Sequence, residues 1–138
     1  MINVGIVGLG FMGVTHLKAY RKINGARVAA ICDAYRLPPD GDLAGFGNVG
    51  DPDPVKLDMK TVKAFKDLKE LLALPELDLV DLCVPTPAHA PLAIAALSSG
   101  KHVLCEKPLA RTAALAREIV AAARSARGFF MPAMCLRF

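Results

Sequence analysis

Three glycines, Gly8, Gly10 and Gly13, stand in the spacing G-x-G-x-x-G directly after the apolar run INVGIV at 2–7. That pattern suits a strand turning sharply into a helix. Gly8 allows the tight turn, Gly10 lets the backbone approach a diphosphate, and Gly13 lets helix and strand pack closely. The main-chain amides of Leu9, Gly10, Phe11 and Met12 then form a cradle at the positive end of the helix dipole. Asp33 closes the second apolar run, where a carboxylate accepts from both hydroxyls of an adenosine ribose and repels a 2′-phosphate. NAD is therefore expected over NADP, with Arg36, three residues on, softening the repulsion. A Walker-type phosphate loop is excluded because no Gly-Lys-Ser/Thr follows the glycines. The bland alternative, a glycine-rich bend without a ligand, does not explain the preceding strand, the following helix and the acid together.

A second group of polar residues lies further on, in CVPTPAH at 83–89 and CEKPLA at 105–110. In an open parallel sheet ligands bind beyond the carboxyl ends of the strands, so both segments converge with the glycine turn on one crevice. Glu106, Lys107 and His89 are thus delivered to where a nicotinamide would lie, and Pro85 and Thr86 are expected to bind the cofactor. Glu106 either contacts the cofactor or accepts from backbone N–H groups, and His89 either faces the site or supports the first turn of its own helix. His16, one turn into the first helix, reads as a packed, hydrogen-bonded residue. Cys83 and Cys105 read as small buried hydrophobes, and Met131 and Met134 as core.

The elements that must hold these residues alternate along the chain. Strands are expected at 2–7, 27–32, 62–65, 78–84, 102–105 and in FFMPAM at 129–134. Helices are expected at 11–23 with Val14, Leu17 and Ile23 at helical spacing, from an Asp67 cap through Leu72, and from a Thr86 cap with Pro87 in the first turn. In that third helix Leu92, Ala95, Ala96 and Ser99 recur before Gly100. A last helix is capped by Thr112, turns Leu115, Ile119 and Ala122 inward, and ends by Gly128. Residues 36–54, rich in Pro, Gly and Asp, admit no ordinary helix. The fold class expected is α/β: a Rossmann-type doubly wound parallel sheet in three α/β/α layers.

A length of 138 residues allows one such domain and not two. The apolar share of 54% excludes a disordered chain. Asp33, Lys101, Glu106 and Glu118 interrupt the apolar stretches before the roughly 20 residues a membrane span requires. The N-terminus lacks the basic region of a secretory signal and carries glycines where an apolar run should continue. Four cysteines without a CxxC pair argue against zinc and against a stapled secreted scaffold, so no metal and a cytoplasmic setting are expected. The net charge of +4 is scattered among acids, which does not make a nucleic-acid surface.

The glycine turn, His16, V-P-T-x-x-H at 84–89 and G-K-H-V-L-C-E-K-P at 100–108 together resemble the nucleotide-binding half of the Gfo/Idh/MocA oxidoreductases. The likeness covers nearly the whole chain, and E-K-P after G-K-H-V is its most specific part. It implies an NAD(P)-dependent dehydrogenase or reductase of sugars, cyclitols or related polyols. It also implies a catalytic Lys107 between nicotinamide and substrate, and a Lys107–Pro108 bond that is often cis. Oxidation of a secondary alcohol needs a base for the hydroxyl proton, and an ammonium such as that of Lys107 can orient the oxygen or lower its pKa. Members continue into a second domain that carries the substrate pocket, an Asp-x-x-x-His pair and usually the oligomer interface. On that pattern residues 1–136 are the dinucleotide-binding domain and 137–138 open the second. The alternative is a stand-alone dinucleotide-binding module or sensor without catalytic activity. Two departures stand out: the 36–54 segment in place of a helix, and Val84 where a threonine often precedes the proline.

Overall fold

A computed structural model describes residues 1–47 and 53–137, so the readings that touch Gly50, Pro52 and Phe138 lie outside it. Six strands form one parallel sheet: β1 (Ile2–Val7), β2 (Ala26–Cys32), β3 (Lys63–Phe65), β4 (Leu79–Leu82), β5 (His102–Glu106) and β6 (Phe130–Ala133). Their order is β3-β2-β1-β4-β5-β6, so the connection from β3 to β4 crosses the sheet and opens a crevice at the carboxyl ends of β1 and β4. Among the described residues four α-helices complete the fold: α1 (Phe11–Tyr20), α2 (Leu68–Leu72), α3 (His89–Ser98) and α4 (Ala113–Ser125).

Strand alternation sorts the side chains between two cores. Val4 and Ile6 of β1, Ile31 of β2 and Leu79 of β4 pack with Val14 and Leu17 of α1. Val7, Ala30, Cys32, Val80 and Leu82 turn the other way, against α2, α3 and Ile119 of α4. Both faces of the central strands are therefore covered, which is why those strands read as continuous apolar runs rather than alternating ones. Pro132 is tolerated in β6 because that strand lies at the sheet edge.

Asp67 caps α2 by accepting from Lys69 N–H at 2.9 Å, and Thr112 caps α4 by accepting from Leu115 N–H at 3.3 Å, both as expected. Thr86 does not cap α3. It begins a short 3-10 turn over Thr86–Ala88 that precedes the helix, and its side chain makes no capping bond. The buried stripe of α3 runs through Ala90, Ala93, Ala96 and Leu97, leaving Ala95 and Ser99 outside. Helix α1 stops at Tyr20; Lys22 and Ile23 close a tighter turn on Ala19 and Tyr20, and Ile23 is exposed. Helix α4 ends at Ser125, before Gly128. Met131 and Met134 are not core: they sit near the edge strand with 47% and 44% of their surface exposed.

Residues 36–47 form no helix and are pinned to the stretch 55–57. Leu43 N–H donates to Val55 and Leu57 N–H to Gly41, and the side chains of Leu43 and Val55 are buried in the α1 core. Two apolar anchors and backbone pairing thus cover the face that a helix would otherwise cover. All four cysteines are free, and no helix among the described residues is long and apolar enough to cross a membrane.

Candidate cofactor site

The glycine turn joins β1 to α1. Gly8 has φ of 92°, and a β-carbon there would lie 2.5 Å from the Cys83 carbonyl oxygen. A β-carbon on Gly13 would overlap the Gly8 carbonyl, so the first turn of α1 rests directly on the end of β1. Gly10 differs from both. Its φ of −75° suits any residue, and an added β-carbon meets nothing within 4 Å. Neither backbone geometry nor packing requires a glycine there. What remains is open space at the start of a ten-residue helix, where an anion can approach.

The amides facing that space differ by one residue from the expected set. Leu9 N–H donates to Asp33 Oδ2 at 2.9 Å, and the Leu9 side chain is buried, so this amide is not available to a diphosphate. Gly10, Phe11, Met12 and Gly13 carry the amides that helix geometry leaves without an internal acceptor, and none has another partner among the described residues. Asp33 also accepts from the amides of Tyr35 and Arg36 at 3.0 and 3.1 Å through Oδ1. Three backbone donors therefore fix its carboxylate. An ionised carboxylate offers about four lone-pair sites, which leaves Oδ2 able to accept again. The adjoining cleft has a volume of about 370 Å³ and includes Gly8, Asp33, Tyr35, Lys66, Val84 and Pro85 in its walls.

At the neighbouring strand ends, Glu106 closes β5 and is largely buried, while Lys107 is exposed. Lys107 N–H donates to Glu106 Oε2 at 3.0 Å, and the Lys107–Pro108 bond is cis. The Lys107 ammonium makes no ion pair among the described residues. His89 does not face the crevice. Its ring is buried behind the two loops, with Nε2 2.8 Å from the Val84 carbonyl and Nδ1 2.9 Å from the Pro108 carbonyl. Both nitrogens are taken, so His89 braces the β4 and β5 loops against each other and has no atom left for a cofactor. Thr86 stands in the turn behind Pro85, its carbonyl accepting from His89 N–H.

Beneath the glycine turn lies a group that the sequence reading missed. Asp81 is fully buried in the middle of β4, on the face toward α1. His16 Nδ1 lies 2.8 Å from Asp81 Oδ2, and Nε2 lies 3.2 Å from Glu106 Oε1. The imidazole thus links two buried carboxylates. The Asp81 hydrogen bond raises the His16 pKa above its usual value, outweighing burial, and the charges of Asp81 and Glu106 add to the effect. Burial, then the Asp81 charge, pushes the Tyr20 hydroxyl and the Cys83 thiol well up. Cys105 is pushed up to about 12 for the same reasons and is inert as a nucleophile. His16, Asp81 and Cys83 hold their donor atoms within 4.8 Å of one another. The protonated thiol and the imidazole already placed on a carboxylate make a poor ion cage. The legible signal was an acid inside a strand with two buried faces, because such a group must find a partner.

The comparisons agree with this geometry. Residues 2–134 match the sequence profile of the oxidoreductase family with an NAD-binding Rossmann fold, Gfo/Idh/MocA. A D-apiose dehydrogenase of Paraburkholderia graminis is 33% identical over 123 residues, 88% of this chain and 29% of that protein. A glycosyl hydrolase family 109 protein of Shewanella is 33% identical over 114 residues, 81% of this chain and 24% of that protein. A levoglucosan dehydrogenase solved in complex with NADH superposes with a TM-score of 0.76 at 28% identity, covering 99% of this chain and 35% of the other. The chain therefore spans about a quarter of the length of the curated relatives and about a third of the solved one.

Proposed function

The chain belongs to the Gfo/Idh/MocA oxidoreductases, as their NAD-binding Rossmann domain, and from that membership we propose that it binds NAD in preference to NADP and serves hydride transfer to or from a sugar, cyclitol or related polyol. The observation that carries the binding is Gly10: an unstrained glycine beside empty space, at the start of a helix whose first amides lack partners. In this reading the amides of Gly10, Phe11, Met12 and Gly13 hold the diphosphate. Asp33 Oδ2 accepts from the adenosine ribose, and its negative charge disfavours a 2′-phosphate. Val84, Pro85 and Tyr35 wall the adenosine side of the cleft.

The bound nicotinamide supplies the hydride acceptor or donor. Lys107 is the catalytic residue of this reading: its ammonium, without an ion pair among the described residues, stands at the carboxyl end of β5, where it orients the substrate hydroxyl and lowers its pKa. Glu106 fixes the Lys107 amide and shares His16 with Asp81. The sugar class is supported by the two dehydrogenases among the relatives, named for apiose and levoglucosan. The free thiols suit a reducing cytoplasm.

Thermal melting with each cofactor tests the proposal. NAD at 100 times its dissociation constant stabilises the folded state by about 2.7 kcal/mol, and NADP at the same concentration does so less. Unchanged melting with millimolar NAD would overturn it.

A further inference from the structure

Arg36 begins beside the ribose carboxylate and points elsewhere. Its amide donates to Asp33 Oδ1 at 3.1 Å, yet its guanidinium lies over the Phe46 ring, 4.4 Å from the centroid. The guanidinium also reaches the Phe46 carbonyl at 3.4 Å. Phe46 is held in turn, because its amide donates to Leu43 and its ring packs against the buried cluster that contains Leu43 and Val55. The proline- and glycine-rich segment, which stands where the family resemblance implies a helix, therefore carries an aromatic face that takes hold of the nearest arginine. Arg36 is consequently absent from the walls of the adenosine cleft, although Tyr35 and Lys66 belong to them.

An arginine close to the ribose acid is the ordinary means by which this fold accommodates a 2′-phosphate. We propose that Phe46 is a cofactor-specificity residue: by sequestering the Arg36 guanidinium it withholds the cation that would neutralise a 2′-phosphate, and so sharpens the preference for NAD that Asp33 establishes. Phe46 touches no cofactor atom and acts only through Arg36. This rests on the proposed dinucleotide reading and goes beyond it. Lys66 contributes equally with or without Phe46, so its effect cancels in a comparison of ratios.

Fluorescence titration of NADH and NADPH into the 138-residue chain reads the effect as a ratio of dissociation constants. Phe46→Leu keeps an apolar side chain on the Leu43 cluster and removes the ring face, so the variant folds and leaves Arg36 with only the long 3.4 Å contact to the main-chain carbonyl. The discrimination against NADPH is expected to shrink by about two- to fivefold, the scale of an exposed cation–π contact. In an Arg36→Ala background the same Phe46 substitution leaves the ratio where Arg36→Ala alone puts it. An unchanged ratio in Phe46→Leu, or an equal shrinkage without Arg36, overturns the role of Phe46 while leaving dinucleotide binding intact. Failure of the unsubstituted chain to bind either cofactor overturns the underlying reading instead.

Discussion

In the proposed reading cofactor choice turns on Asp33, whose carboxylate three amides hold in one orientation. Asp33→Ala removes both the ribose acceptor and the negative charge, so NADH affinity falls about tenfold and the preference over NADPH largely disappears; parallel fluorescence titrations measure both. A retained preference would place cofactor choice in another residue. His16 gives a different prediction, one of stability. With a pKa raised by folding above 6.5, its contribution is complete below that value and is lost as pH rises through the higher folded value. Urea midpoints should therefore decline over that interval in the unsubstituted chain and lose this component in His16→Gln. The substitution also leaves Asp81 and Glu106 without their shared cation, costing about 3 kcal/mol at pH 6. Asp33 was readable from its place after a strand. Asp81 was hidden, since its partner His16 comes from a helix 65 residues earlier.

At the scale of elements, the junction of β1 and α1 is rigid because two of its glycines have no alternative. Gly13→Ala forces a methyl group against the Gly8 carbonyl and must lift the first turn of α1 from the strand. Overpacking of this kind costs about 2 kcal/mol or more, measurable as a lower urea midpoint, and cofactor affinity falls with it because the amides move. A midpoint within error of the unsubstituted chain would contradict the close approach. Strands and caps were largely legible, since β-branched runs and Asp or Thr before a helix are local signals. Loops were not. Thr86 looked like a cap because a proline follows it, but the chain makes a 3-10 turn that brings His89 between two carbonyls. No local pattern announces a contact with Pro108, 19 residues away.

Across the whole molecule, the sheet order brings the glycine turn, the β4 loop and the β5 loop to one edge, and the two cores fix their spacing. The expected three-layer sheet follows from apolar runs that are buried on both faces. The stretch 36–47 could be foreseen only as irregular, because its anchor Leu43 meets Val55 through a tertiary contact. One measurement separates cofactor binding from folding most cleanly: calorimetric titration of NAD into the unsubstituted chain and into Gly10→Val. Because Gly10 has ordinary backbone angles and free space around it, the substitution should alter stability by less than about 1 kcal/mol. A saturable heat for the unsubstituted chain and none for Gly10→Val, at matched melting temperatures, is the result predicted. Equal binding by both proteins would contradict the assignment of that space to a diphosphate.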